Sequence, residues 1–93
     1  MRAIWNDQVI ADSDTTIMIE NNHYFPPASI KKSFFTPSET TSSCPWKGEA
    51  SYFDISVNGE TNKDAAWHYY QPKEAAIQIK GYLAFWKGVK ITR

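Results

Sequence analysis

The amino-acid sequence predicts a single, mainly β domain, and three observations carry that prediction. Phe53, Ile55 and Val57 alternate with Tyr52, Asp54 and Ser56 and lead into Asn58-Gly59, the pair best suited to the positive φ angles of a type I′ hairpin turn. Short β-branched and aromatic runs recur elsewhere between turn-forming residues. The chain has 93 residues, 42% of them apolar and 15% aromatic. That is enough for one core, whereas a second would need roughly another 50 residues.

In chain order, Ala3-Ile4-Trp5, a polar turn at Asn6-Asp7, Val9-Ile10-Ala11 and the run Thr15 to Ile19 read as short strands of a meander. In the third of these, Ile17 and Ile19 share a face opposite Thr16, Met18 and Glu20, as a two-residue side-chain period requires. Pro26-Pro27 ends strand pairing, and Pro27 to Lys32 reads as a short helix because proline suits the first helical position. Thr36 to Ser43 has no large apolar side chain and must be an exposed loop or an extended edge. After the hairpin, whose strands should cover about 52–57 and 60–69, Pro72 ends the aromatic run Ala65 to Tyr70. Lys73 to Lys80 then reads as a helix closed by Gly81. A last strand pair, Tyr82 to Trp86 and Val89 to Ile91, should turn at Lys87-Gly88. Trp5, Trp86 or both are expected in the core.

Ten basic and ten acidic residues cancel, which argues against nucleic-acid binding, a function that usually needs a basic excess. The charges are uneven along the chain: residues 1–20 are mostly acidic and residues 71–93 mostly basic, so the two ends complement each other if they share a sheet. Cys44 is the sole cysteine, which excludes an intrachain disulfide and a thiolate cluster for structural zinc. With no apolar stretch like that of a signal peptide or a membrane span, a reducing, cytoplasmic address is expected, without a membrane partner.

Four ordered motifs carry a family likeness: NHYFP at 22–26, CPWKGEASY at 44–52, AAWHY at 65–69 with Pro72, and IKGYLAFW at 79–86. Over essentially its whole length the chain resembles the small bacterial domain of unknown function 427 family. The resemblance implies one domain of curved antiparallel sheets, a β-tent similar in outline to the Mss4-like folds that include methionine sulfoxide reductase B. Some labels in the family suggest a nucleotidyltransferase. This chain has neither a glycine-serine motif nor a spaced aspartate pair to hold Mg²⁺ against phosphates, and it lacks paired CxxC zinc knuckles.

The candidate catalytic residues are Cys44, His23 and Lys47. A cation near Cys44 would favour its thiolate and make it a nucleophile, while a buried cysteine without one would be inert. His23, at a strand-to-proline corner, is preferred over His68 as a general base. The two histidines and Cys44 are scattered without diagnostic spacing, so no metal site is expected. Trp46, Tyr52, Trp67 and Tyr69 are the candidate substrate-binding residues, with Trp86 able to line the same cleft. A thiol, an aromatic plate, a cation and a flexible glycine in Cys44 to Gly48 suit a planar or anionic small molecule. The alternative is that Pro45 and Trp46 merely plug the sheet while Lys47 stays in water.

Two functions follow. One is a small-ligand-binding domain or small enzyme built on this His/Cys/Lys/aromatic cleft, with His23 and Cys44 brought close by the 26–27 corner and the 36–43 segment. The other is an interaction module whose aromatics form a surface for another protein or a homodimer. The sequence names no cofactor.

Overall fold

Turn chemistry sets the architecture. In the computed structural model, which describes all residues Met1–Arg93, nine strands form three antiparallel sheets. The strands are β1 (Arg2–Trp5), β2 (Gln8–Asp12), β3 (Ile17–Ile19), β4 (Asn22–Tyr24), β5 (Phe35–Cys44), β6 (Gly48–Val57), β7 (Glu60–His68), β8 (Leu83–Phe85) and β9 (Lys90–Thr92). Asn58 and Gly59, at φ 51° and 80°, join β6 to β7, as the alternation before them predicts. Asn6 and Asp7, at 51° and 61°, make the equivalent turn between β1 and β2.

The first sheet has the order β2-β1-β9, the second is the β3-β4 ribbon, and the third has the order β5-β6-β7-β8. The first sheet pairs the chain ends, Arg2 opposite Thr92 and Ile4 opposite Lys90. Just after β4, Phe25 exchanges both main-chain hydrogen bonds with Leu83, at 2.7 and 2.9 Å, so the ribbon attaches to the outer edge of β8. The 36–43 segment is the extended edge: it lies within β5, the outer strand at the other side.

Two irregularities bend the four-stranded sheet at the same level. Pro37 pairs with Phe53 and Thr41 with Ser51, so β5 carries extra residues there, and β7 does the same between Ala66, opposite Phe53, and Asn62, opposite Ile55. Bulges on both neighbours of one strand increase local twist and curvature. Asp64, at φ 56°, ties them together: its carboxylate accepts from the Ser38 hydroxyl at 2.5 Å and the Thr40 hydroxyl at 2.8 Å, and its N–H donates to Asp54 Oδ1 at 2.9 Å.

Strand alternation then divides the apolar residues between the two faces of this sheet. Ile55, Val57, Ala65, Ala66, Leu83 and Phe85 pack with Ala3, Ile10, Ala11 and Phe25 in one cluster, closed by the first sheet. Ala50, Tyr69 and Ala84 pack on the opposite face with Tyr24, Ala76 and Ile79. The second face is covered only by the ribbon and the 74–79 segment, and it carries the candidate site.

Three expectations need correction. The 27–32 helix is two single 3-10 turns, Pro27–Ser29 and Lys32–Phe34. The 73–80 helix is likewise short 3-10 turns, within Glu74–Ile79, broken by a kink at Ala76 (φ −120°, ψ 20°); Ala76 and Ile79 are its buried residues. Lys87 and Gly88 do turn, at φ 54° and 85°, but β8 and β9 do not pair with each other: β8 joins β7 and β9 joins β1. The turn carries the chain from one sheet to another. Of the tryptophans, Trp5 packs against the first cluster, whereas Trp86 is 47% exposed and is no part of the core.

Candidate functional site

The uncovered part of the second face is a partly open cleft of about 200 Å³, lined by Asn22, Tyr24, Lys47, Tyr52, Trp67, Tyr69 and Trp86. Its walls follow from the strand register. Tyr52 and Trp67 are direct cross-strand partners, as are Trp67 and Ala84; the small alanine leaves room beside the indole. Trp67 meets Tyr24 edge to face, with centroids 6.4 Å apart, and its Nε1 donates to Tyr24 Oη at 3.3 Å. Trp86 stands against Trp67 at 5.7 Å and 77° and against Tyr52 at 6.3 Å. Although half exposed, Trp86 is fixed: its Nε1 donates to the Asp64 carbonyl at 2.5 Å. The bulge that bends the sheet therefore also sets the outer wall of the cleft.

Lys47 enters from the three-residue loop Pro45–Lys47 between β5 and β6. Gly48 ends that loop at φ 112°, a backbone conformation that L side chains rarely adopt, so a substitution there is strained although an added Cβ would only make ordinary contact, 3.4 Å, with the Lys73 backbone nitrogen. Lys73 locks the loop by donating from its N–H to the Lys47 carbonyl at 2.9 Å and from Nζ to the Pro45 carbonyl at 2.7 Å. The Lys47 side chain is buried, with Nζ 4.8 Å from the Trp46 ring centroid and 5.8 Å from that of Tyr69. Its ionic partner is Glu20, on the β3–β4 turn. A buried ammonium is tolerated only when paired in this way.

Burial opposes the charge on Lys47, but the bond to the Glu20 carboxylate, together with Tyr24, Tyr69 and Cys44, outweighs it and holds the ammonium above its usual value; the bond to Lys47 holds Glu20 below the carboxylate range. Burial pushes Tyr69 up to about 12 and raises Tyr24 as well. Near neutrality the cleft thus presents neutral phenols, one cation and, at the rim, one anion.

The predicted residues divide. Lys47, Tyr52, Trp67 and Tyr69 all line the cleft, and Trp86 with them. Trp46 does not line the cleft; it is 38% exposed, with the Lys47 ammonium 4.8 Å from its ring centroid. Cys44, half-buried at the end of β5, packs against the second cluster and close to Lys47. Burial pushes its thiol up, but the main-chain N–H groups of Lys47 and Trp46 and the Lys47 ammonium outweigh burial and hold it below its ordinary value. His23 stays apart. Asn22 and Tyr24 on either side of it face the cleft, so by strand alternation His23 faces away, and its Nδ1 is bonded to Thr16 Oγ1 at 3.0 Å. His68 likewise lies opposite Trp67 and Tyr69, against Phe53 at 4.8 Å, where burial lowers its pKa.

Sequence reasoning missed Asn22, Tyr24 and Glu20. The signal for the first two was the strand period within NHYFP, which displays the neighbours of His23 rather than His23 itself. No group of three or more His, Cys, Asp or Glu side chains is placed to hold a metal ion. No helix is long and apolar enough to cross a membrane. No protein of curated function matches the chain. The model of the family described as "Domain of unknown function (DUF427)" matches residues 1–92, essentially the whole chain, and the chain accordingly belongs to the DUF427 family.

Proposed function

We propose that this domain binds a small, flat molecule in the cleft between Trp86, Trp67 and the tyrosines. The observation that carries the reading is Trp86, a large aromatic left half exposed yet held in place by the Asp64 carbonyl against Trp67 and Tyr52. A fixed aromatic wall on a concave site offers π-faces to a ring at little ordering cost. The volume sets the size class: about 200 Å³ exceeds the ~150 Å³ that admits one benzene and falls below the roughly 300–1,000 Å³ of drug-sized sites. A molecule of one or two rings fits. The test is a thermal-shift screen of such compounds, since a ligand selective for the folded state raises its apparent stability. Compounds that stabilise the wild type should lose their effect on Trp86→Ala, which is expected to stay folded because it removes a half-exposed ring. Stabilisation that survives Trp86→Ala would place binding elsewhere.

A second reading, a small enzyme with Cys44 as nucleophile, is favoured by the lowered thiol pKa beside Lys47. Alkylation of Cys44 should then be faster at neutral pH than that of an unstructured cysteine peptide, slower in Lys47→Met, and unchanged in His23→Ala because His23 faces away. A wild-type rate no higher than the peptide's removes the nucleophile and leaves binding.

A further inference from the structure

We infer that the ligand of this cleft carries an acidic group, and that Glu20 is an internal stand-in which that group displaces from Lys47. The inference rests on the cleft being a ligand site and concerns the chemistry of what enters it.

The ion pair is asymmetric. The Lys47 side chain is 7% exposed and that of Glu20 57%. Lys47 is held at its main chain by Lys73 and at its ammonium by the Trp46 and Tyr69 rings. Glu20 and Asn21, at φ 52° and 65°, form the exposed tip of the short ribbon, and the Glu20 carboxylate reaches Lys47 from solvent. The cation is built in, whereas the anion is attached from outside and can swing into water at little cost. Lys47 still demands a negative partner, because an unpaired buried ammonium is strongly unfavourable. Another carboxylate can supply it.

The remaining polar groups point the same way. Tyr69 is 5% exposed and lines the cleft, and its hydroxyl makes no hydrogen bond to the protein. Tyr24 Oη accepts from Trp67 and so keeps its own proton to donate. Two hydroxyls and an ammonium therefore surround the space, and Lys47 is the one charged side chain lining it. Such a donor-rich wall recognises a carboxylate on a flat ring, the charge meeting Lys47 and the ring meeting Trp67 and Trp86.

Benzoate and benzamide, matched in shape and different in charge, separate the possibilities when titrated while the indole N–H resonances of Trp67 and Trp86 are followed. Benzoate should bind the wild type more tightly than benzamide. In Glu20→Gln the benzoate affinity should rise by about two- to fivefold, the size of one partly exposed charge interaction, with benzamide unchanged. In Lys47→Met the preference for benzoate should vanish while benzamide still binds. Equal binding of the two probes, or a Glu20→Gln variant that binds benzoate no better, would overturn the displacement while leaving the cleft a ligand site. Failure of both probes to bind any variant would overturn the ligand site as well.

Discussion

The two faces of the four-stranded sheet are made of different aromatic residues. All five phenylalanines, Phe25, Phe34, Phe35, Phe53 and Phe85, lie in or against the cluster closed by the first sheet. There they meet edge to face, Phe25 with Phe85 at 5.5 Å and Phe35 with Phe53 at 6.1 Å. Four of the five tyrosines, Tyr24, Tyr52, Tyr69 and Tyr82, belong to the other cluster. A phenyl ring has no polar atom to satisfy and suits a sealed layer. A phenol needs a partner or water at its tip and suits a layer with an opening. The difference teaches that in this small fold the sealed layer and the cleft are placed on opposite sides of one sheet, at adjacent positions of the same strands.

Substitutions can break that comparison, and the largest effect is expected on the sealed face. Phe25→Ala removes a fully buried ring and should cost ~3–5 kcal/mol in chemical denaturation. Phe25→Tyr puts an unpartnered hydroxyl into the same layer and should cost roughly 1–3 kcal/mol. On the open face, Trp86→Ala should cost about 1 kcal/mol, the bond to Asp64 being its main loss, and Trp46→Ala should likewise cost less than truncating a buried ring. Tyr69→Phe should leave stability unchanged or slightly raised, since its hydroxyl bonds nothing in the protein, while weakening an acceptor-bearing ligand. A Trp86→Ala loss as large as that of Phe25→Ala would show that the open face is core in its own right.

The pH dependence sharpens the same contrast, because the shifted groups of the cleft all lie on one side. Tyr69, Tyr24 and Lys47 hold their protons more tightly folded than unfolded. Their stabilising contribution is complete below pH 10, the ordinary tyrosine value, and is lost as the pH rises through the folded values, about 12 for Tyr69. Glu20 and His68 are shifted down, so their contributions are present above 4.5 and 6.5 respectively and are lost as the pH falls through their folded values. A Tm profile should therefore fall at both ends, and Tyr69→Phe should flatten the alkaline limb. An unchanged limb would mean that the Tyr69 phenol is not desolvated by the cleft.

Much of this was legible in the sequence where the cause is local. Asn58-Gly59 fixes its turn by backbone preference alone, and the alternation of Phe53, Ile55 and Val57 fixes which face they take. The aromatic walls Tyr52, Trp67 and Tyr69 could be named because they stand in the family-like motifs CPWKGEASY and AAWHY. What could not be read depends on distant partners. Lys47 is buried because Glu20 and Lys73 reach it from other elements, and no local pattern distinguishes it from a solvated lysine. The paired bulges exist because Asp64 bonds Ser38 and Thr40 across the sheet, with no neighbouring glycine to announce them. The 87–88 turn was visible, but not the sheet to which it delivers the chain.

The central claim is that the tyrosine and tryptophan face takes a flat ligand and the phenylalanine face does not. The four indole N–H resonances report both faces in one NMR titration with one- and two-ring fragments, Trp5 belonging to the sealed side. The expected result is that binding fragments shift Trp67 and Trp86, move Trp46 less, and leave Trp5 in place. Fragments at millimolar concentration that shift none of the four, or that shift Trp5 and leave Trp67 and Trp86 unmoved, would contradict it.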